Sequence, residues 1–340
     1  MLLINHKIKS LNKSVCLISV LMAILFFPAI SQANKEKLIL IIHSYHPAFP
    51  WVADCTTGIE NVLHEKYSLI HFYMDTKRLP ASEIDQRANL AWKMYKAFKP
   101  DLVMLGDDNA LKTLGPRFAI TKTPVVFYGI NINPRKYFNN YLPKNITGVL
   151  ERTLIARAMA IFSEIIPNAK KALLIMDKTL TSDADIQNTF KEKKIIKTGN
   201  TSLEYLQSND WELWKKTIRT SGENYDLLFL GTYWTIKNAQ NKIIPYQEIL
   251  KWVVKNSPIP TLGYTNWSVD YGQVAAYVTK GITHGQVAAE SALEILDGKV
   301  PPSSIPPKKD SKGELQLNQK QLIKYKIQVP ERWKSRAIFK

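Results

Sequence analysis

Cysteine is almost missing from this chain: there are two in 340 residues, Cys16 and Cys55. Two thiols cannot build a disulfide framework or a Cys-rich zinc site. Acidic side chains are also in short supply, 29 against 46 Lys and Arg, which leaves a formal charge of +17 and a pI near 9.6. Glycine (14) and proline (18) are too scattered for collagen-like or low-complexity sequence. With 45% hydrophobic and 22% charged residues the composition is globular, which excludes disorder. Sharp catalytic signatures are absent as well: there is no G-x-S-x-G elbow, no P-loop and no H-E-x-x-H pair. What remains is a basic globular chain long enough for two domains of about 150 residues, each able to bury its own core.

The first segment reads as an address. Lys7, Lys9 and Lys13 form a positive start, Val15 to Phe27 is almost wholly apolar, and Pro28 ends that run. Ser31-Gln32-Ala33 then sets small residues at the two positions a signal peptidase reads. This order predicts a secretory signal peptide over residues 1–33, cleaved after Ala33. The apolar run is shorter than the about 20 residues a spanning helix needs, and no second one of that length follows. Cys16 lacks the small-residue context of a lipoprotein signal. Cleavage removes three lysines and Cys16, lowering the charge from +17 to +14 and leaving Cys55 alone. A lone cysteine in an oxidising compartment reads as a buried, inert thiol. The mature protein is expected in the periplasm, soluble outside the cytoplasmic membrane.

Export changes the meaning of the positive charge. Nucleic acid is not an expected partner, since no zinc-finger spacing, RNP-like motif or arginine-rich arm is present. Much of the charge is in the tail, where residues 307–340 hold ten Lys and Arg against three acids. Solvated surface, or contact with an anionic membrane surface, accounts for it better.

From Glu36 onward, short β-rich runs alternate with amphipathic stretches. Strands are predicted at Leu38–His43, Leu69–Met74, Asp101–Leu105 and Val125–Tyr128. Helices are predicted near Thr57–Lys66, Ser82–Phe98 and Ala110–Leu114. After a joint near Asn131–Asn145 the alternation restarts, with strands at Ala172–Met176, Glu204–Leu206, Leu227–Leu230 and Ile259–Leu262. The helices between them are Ile155–Ile166, Ser182–Lys191, Asp210–Thr220 and Pro245–Asn256. Two such runs predict an α/β protein of two parallel-sheet lobes covered by helices. The helix at Gly285–Leu296 and the Pro-rich stretch from Pro301 to Pro307 suggest that the chain crosses back between them.

Open parallel sheets bind small molecules beyond the carboxyl ends of their strands. Those ends carry Ser44 to Trp51, Gly106-Asp107-Asp108-Asn109 and Gly129-Ile130-Asn131 in the first lobe. In the second they carry Asp177-Lys178-Thr179, Gly231-Thr232-Tyr233-Trp234 and Gly263-Tyr264-Thr265-Asn266-Trp267. Any one segment is explained by turn and capping preferences, but six polar-aromatic segments converging on one crevice point to a ligand. Asp107 and Asp108 are adjacent, so their side chains diverge in a strand-like segment, a poor start for a paired-carboxylate site. His43 and His46 have no metal-ligand spacing and read as packing or hydrogen-bonding groups. An exported hydrolase using Asp107 and His46 is the alternative from another class, but nucleophile, base and orienter cannot all be named.

Four segments carry a resemblance. His43-Ser44-Tyr45-His46-Pro47 through Trp51 to Gly58-Ile59 resembles the first-strand loop and helix of ABC-transporter substrate-binding proteins. Tyr73-Met74-Asp75-Thr76-Lys77-Arg78 is similar to the branch used as extracytoplasmic sensor domains. Gly285-Gln286-Val287-Ala288-Ala289-Glu290, continuing to Pro301, resembles the family's G-x-x-A-A-x-x-A-x-x-I-L-x-G-x-x-P helix, and Leu317-Asn318 through Pro330 its closing segment. Lys320 and Lys326 depart from that closing segment, standing where a small residue and glycine are usual. The resemblance covers residues 37–333.

It implies the type I periplasmic-binding fold: two doubly wound lobes, residues 34–131 with 270–300 and residues 132–269 with 301–340, hinged by three crossovers. It implies no catalysis, cofactor or metal, and a monomer that closes on a small organic ligand, an amino acid (an aromatic one fits) or an amine. The partner would be a membrane permease or, in the alternative, a membrane sensor kinase or cyclase. The implied pocket is Ser44, Tyr45, Trp51, Asp107, Asp108, Asn131, Thr232, Tyr233, Tyr264, Asn266 and Trp267. Tyr45, Tyr233 and Trp267 would be stacking walls, Asp107 or Asp108 would pair with an amine, and the amides around Gly106 and Gly129 would hold a carboxylate.

Overall fold

The computed structural model describes residues 37–152, 154–310 and 313–340. The expected signal peptide, its cleavage point and Cys16 lie outside the described residues.

The chain starts with β1 (Leu38–His43), a continuous apolar run because both of its faces are covered. Next come α1 (Pro50–Leu63), β2 (Ser68–Tyr73), α2 (Ile84–Phe98), β3 (Leu102–Gly106), α3 (Asp107–Ala119), β4 (Val125–Ile130) and β5 (Ile146–Glu151). α1 begins well before the Thr57 start read from the sequence, because Pro50 occupies its first turn, where no N–H is needed and φ is already helical. The second lobe holds α4 (Ile155–Ile165), β6 (Lys171–Met176), α5 (Leu180–Phe190), β7 (Ile195–Thr198), β8 (Thr201–Gln207), α6 (Trp211–Arg219), β9 (Leu227–Leu230), α7 (Tyr246–Asn256), β10 (Thr261–Gly263) and β11 (Ala275–Val278). α8 (Gly281–Leu296) and β12 (Lys308–Asp310) return to the first lobe, and β13 (Glu314–Leu317) and β14 (Ala337–Phe339) belong to the second.

The first sheet has the order β12-β5-β4-β3-β1-β2 and is parallel throughout. The second, β14-β13-β11-β10-β9-β6-β8-β7, is parallel except at β11–β13 and β7–β8. Alternate residues of each central strand feed opposite faces. Ile39 and Ile41 pack with Cys55, Ile59 and Ala292 on one side, while Leu40 and Ile42 pack with Ala88, Leu111 and Phe118 on the other. In the second lobe Leu174 and Met176 join Phe162 and Phe229, and Leu173 and Ile175 join Trp214. Each such fully buried aliphatic side chain contributes about 1.5–3 kcal/mol.

The chain changes sheet after β5, after β11 and after β12, which moves the lobe boundaries from those read in the sequence. β5, expected in the second lobe, pairs with β4 in the first sheet; β11 pairs with β10 in the second, and β12 with β5 in the first. The polar stretch near 131–145 looks like a linker but is stitched to the first lobe. Asn145 Nδ2 donates to the carbonyls of Phe118, Thr121 and Thr123, and Tyr137 Oη to Asp108.

α1 and α8 cross at two glycines. A Cβ on Gly58 would lie 2.0 Å from the Ile282 carbonyl oxygen, and one on Gly285 2.1 Å from that of Cys55. Backbone contact is therefore what the glycine at the head of the α8 motif supplies. Lys326, one of the two departures, adopts φ 52°, the left-handed conformation for which glycine is usual.

Candidate ligand-binding cleft

The carboxyl ends of both sheets face a cleft of about 720 Å³, open solvent included. Eight of the eleven residues named from the sequence line it: Tyr45, Trp51, Asp107 and Asn131 from the first lobe, Thr232, Tyr264, Asn266 and Trp267 from the second. The lobes touch across it. Phe49 meets Trp234 edge-on at 4.6 Å between centroids, Asn266 Nδ2 donates to Asp54 (3.0 Å), and Asn188 Nδ2 to the Asn131 carbonyl (3.2 Å).

Ser44, Asp108 and Tyr233 lie behind the lining instead. Ser44 Oγ donates to the Gly106 carbonyl (2.6 Å) and accepts from the Ala110 N–H (2.8 Å), bridging the two groups an α-helix's first turn pairs directly. Asp108 accepts from the N–H groups of Asn131 and Ile132 and from Tyr137, so its carboxyl clamps the loop after β4. Tyr233, expected as a stacking wall, is buried and accepts from Trp267 Nε1 (3.0 Å); its neighbour Trp234 takes the wall position. Gly106 and Gly129 do not line the cleft, and the Gly129 N–H is already donated to His284 Nε2 (2.9 Å).

Asp107 is the residue most shaped by its setting. Its φ of 66° puts a non-glycine residue in the left-handed region at the head of α3, a conformation aspartate tolerates better than most. It is 3% exposed, and its Oδ2 has no hydrogen-bond partner. The Trp51 indole N–H lies beside this carboxyl but falls short of hydrogen-bond geometry. Burial, then the Glu151 carboxylate, pushes the Asp107 carboxyl well above its usual range, against the pull of Lys77. Glu151, at the end of β5, is pushed by burial to about 7. Burial likewise brings Lys77 down to about 8, opposed by Asp177, Asp107, Glu151 and Asp185.

The second lobe's loop is held from below. Asp177 accepts from the Thr232 hydroxyl and from both the N–H (2.9 Å) and the hydroxyl (3.1 Å) of Thr235, which fixes the turn that presents Trp234. Tyr264 reaches Asp185 at 3.5 Å.

Lining residues that the sequence reading missed include Phe49, Asp54, Lys77, Glu151, Trp234 and Tyr277. Phe49 and Trp234 sit in the strand-end loops already singled out. Lys77 follows β2, a strand end that the same rule reaches. Glu151 ends one strand, and Tyr277 lies inside another, that were not recognised as strands. His46, paired with Asp107 in the hydrolase reading, does not line the cleft and packs edge-on to Phe49 at 6.0 Å. Among the described residues no group of three or more His, Cys, Asp or Glu is placed to hold a metal, and no helix is long and apolar enough to cross a membrane.

Two hinged sheets with a cleft at their carboxyl ends are the type I periplasmic-binding fold, and solved structures agree. The ABC domain from Streptococcus pneumoniae in complex with L-Trp aligns at TM-score 0.65 and 18% identity, over 89% of this chain and 99% of that one. A conserved domain protein from Vibrio cholerae aligns at 0.67 and 16%, over 90% and 99%. A ligand-free, open substrate binding protein with adhesive properties from Clostridium difficile aligns at 0.62 and 14%, over 90% and 99%. The family model for ABC transporter substrate binding protein matches residues 80–338, and the chain belongs to that family. Its members bind small molecules and work with a membrane permease. No curated protein matches the chain.

Proposed function

We propose that this protein is an exported solute receptor whose two lobes close on a small organic molecule with an apolar, stackable body and an amino group, and hand it to an ABC permease. The observation that carries this reading is the cleft itself. Rigid aromatic rings from both lobes surround a buried carboxyl with an unbonded oxygen, at the place where the fold takes ligands. Aromatic amino acids and aromatic amines have this shape and polarity. The neighbour from Streptococcus pneumoniae was solved with L-Trp, which is in keeping with a ligand of that size.

The test is calorimetric titration of the mature protein, recovered from the periplasmic fraction, with aromatic amino acids, aromatic amines, nucleobases and sugars. One saturable site per chain is expected for a member of the first two classes, with a rise in Tm, since a ligand at 100 times its Kd adds about 2.7 kcal/mol. Retention of the protein in the cytoplasm, or no binding to any class, would overturn the reading.

A further inference from the structure

Lys77 occupies a position that a ligand could hold. Its Nζ lies 4.2 Å from the ring centroid of Tyr45, 4.4 Å from Phe49 and 5.3 Å from Trp234, so three aromatic faces from both lobes enclose one ammonium. All three distances are within the range of cation–π attraction. Among the described residues this ammonium makes no hydrogen bond and no ion pair. The carboxylates whose fields act on it, Asp177, Asp107, Glu151 and Asp185, come from four separate elements, and none bonds to it. A lysine placed simply to pin the lobes together would be paired with one of them.

We propose that the cleft is an organic-cation site, and that Lys77 is a tethered occupant of its aromatic cage which a ligand ammonium displaces. This deepens the solute-receptor reading and rests on it. Two further observations point the same way. Among the described residues Asp54, Asp107 and Glu151 are the acidic groups lining the cleft and Lys77 is the only base, so displacing Lys77 outward leaves carboxyls as the charged groups of that lining. That is the reverse of the chain as a whole, which carries +17. The buried, unbonded Oδ2 of Asp107 also gives a ligand's ammonium N–H a carboxyl acceptor in the same cleft. Lys77 is able to leave because its neighbours hold the backbone and not the side chain: Thr76 is tied to the Ser44 carbonyl through both its N–H and its hydroxyl, and Arg78 to Asp75.

The experiment compares the wild type with Lys77→Met, which keeps the length of the side chain and removes its charge. Both are titrated with tryptamine, L-tryptophan, indole-3-propionate and tetramethylammonium, and circular dichroism confirms that the variant is folded. Tryptamine should bind the wild type at least 10-fold more tightly than indole-3-propionate, and Lys77→Met should bind tryptamine and tetramethylammonium several-fold more tightly still. Trp234→Ala should lose that gain. Weaker tryptamine binding by Lys77→Met, or unchanged affinity, would overturn the proposal, as would a preference for the anion. If indole-3-propionate binds and Lys77→Met abolishes it, the receptor reading stands and Lys77 is instead the ligand's own anion contact. If neither protein binds any probe, here or in the wider solute panel, the receptor reading falls together with the proposal.

Discussion

The two lobes share an architecture but bring different chemistry to the cleft. Among the described residues the first contributes the charged side chains of the lining, Asp54, Lys77, Asp107 and Glu151, along with Tyr45, Phe49 and Trp51, while the second contributes Trp234, Tyr264, Trp267 and Tyr277 with a set of threonines and Asn266. The aromatic wall is itself braced: Trp234 contacts Trp267 at 5.5 Å and Tyr246 at 5.0 Å, and Tyr233 stands behind both. The charged groups described in the lining thus come from the first lobe, whereas aromatic rings come from both; in the proposed receptor the polar head of a solute would meet the first lobe and its body the rings of both.

Breaking the platform under the first lobe's contribution should have the largest effect. Gly285→Val forces a side chain into the α1–α8 crossing, and α1 carries Trp51 and Asp54. It should lower stability by about 3 kcal/mol or more, read as a shift in the urea midpoint, and an unchanged midpoint would refute the packing account. Asp107→Asn keeps a residue that tolerates the left-handed conformation but removes the charge. It should weaken binding of an amine ligand about 100-fold while leaving Tm as high or higher, because a buried charged hydrogen bond is worth up to about 3 kcal/mol.

On the other side of the cleft, Trp267→Ala should cost about 2 kcal/mol, roughly 30-fold in Kd. If the lobes read separate ends of the ligand, the loss in the Asp107→Asn, Trp267→Ala double variant should be the product of the single losses. Marked non-additivity would merge the two subsites into one. Tyr233→Phe removes the acceptor of the Trp267 N–H and should weaken binding about fivefold, the worth of one ordinary hydrogen bond.

The smallest effect separates the lobes by pH. His43 and His71 stack at 5.3 Å in the first lobe and share a 3.0 Å hydrogen bond, with Tyr128 bonded to the other ring nitrogen of His43. Burial lowers the proton affinity of both, assisted at His43 by His71 and opposed at His71 by Glu60. Below about pH 6.5 the unfolded chain then takes up protons that the folded chain refuses, so this pair's contribution is present at neutral pH and lost on acidification. The raised carboxyls of Asp107 and Glu151 act with the opposite sign, so the comparison must be with a variant. Between pH 7.5 and 5.5, His71→Gln should lose less Tm than the wild type; an equal loss would place the acid sensitivity elsewhere.

Much of this contrast was legible in the sequence. The buried strands β1, β3, β4, β6 and β9 are continuous apolar runs, and the strand-end rule led to Tyr45, Asp107, Tyr264 and Trp267. The lobe boundaries were less visible. β5, with Thr147 and Gly148 inside it, has too weak a β pattern to stand out, and the polar segment before it mimics a linker. Glu151 went unnoticed with that strand. The distinction between Tyr233 and Trp234 was beyond reach, because adjacent residues in a turn differ only in direction, and that direction is set by Asp177 from another strand. Lys77 was quoted in a motif, yet its place among three rings depends on loops from both lobes.

The most direct test of the central claim is a calorimetric titration of tryptamine and L-tryptophan into the wild type and Asp107→Asn side by side. The account predicts one site per wild-type chain for at least one of the two, and a loss of about 100-fold in the variant. Equal binding by both proteins, or none by the wild type, would contradict it.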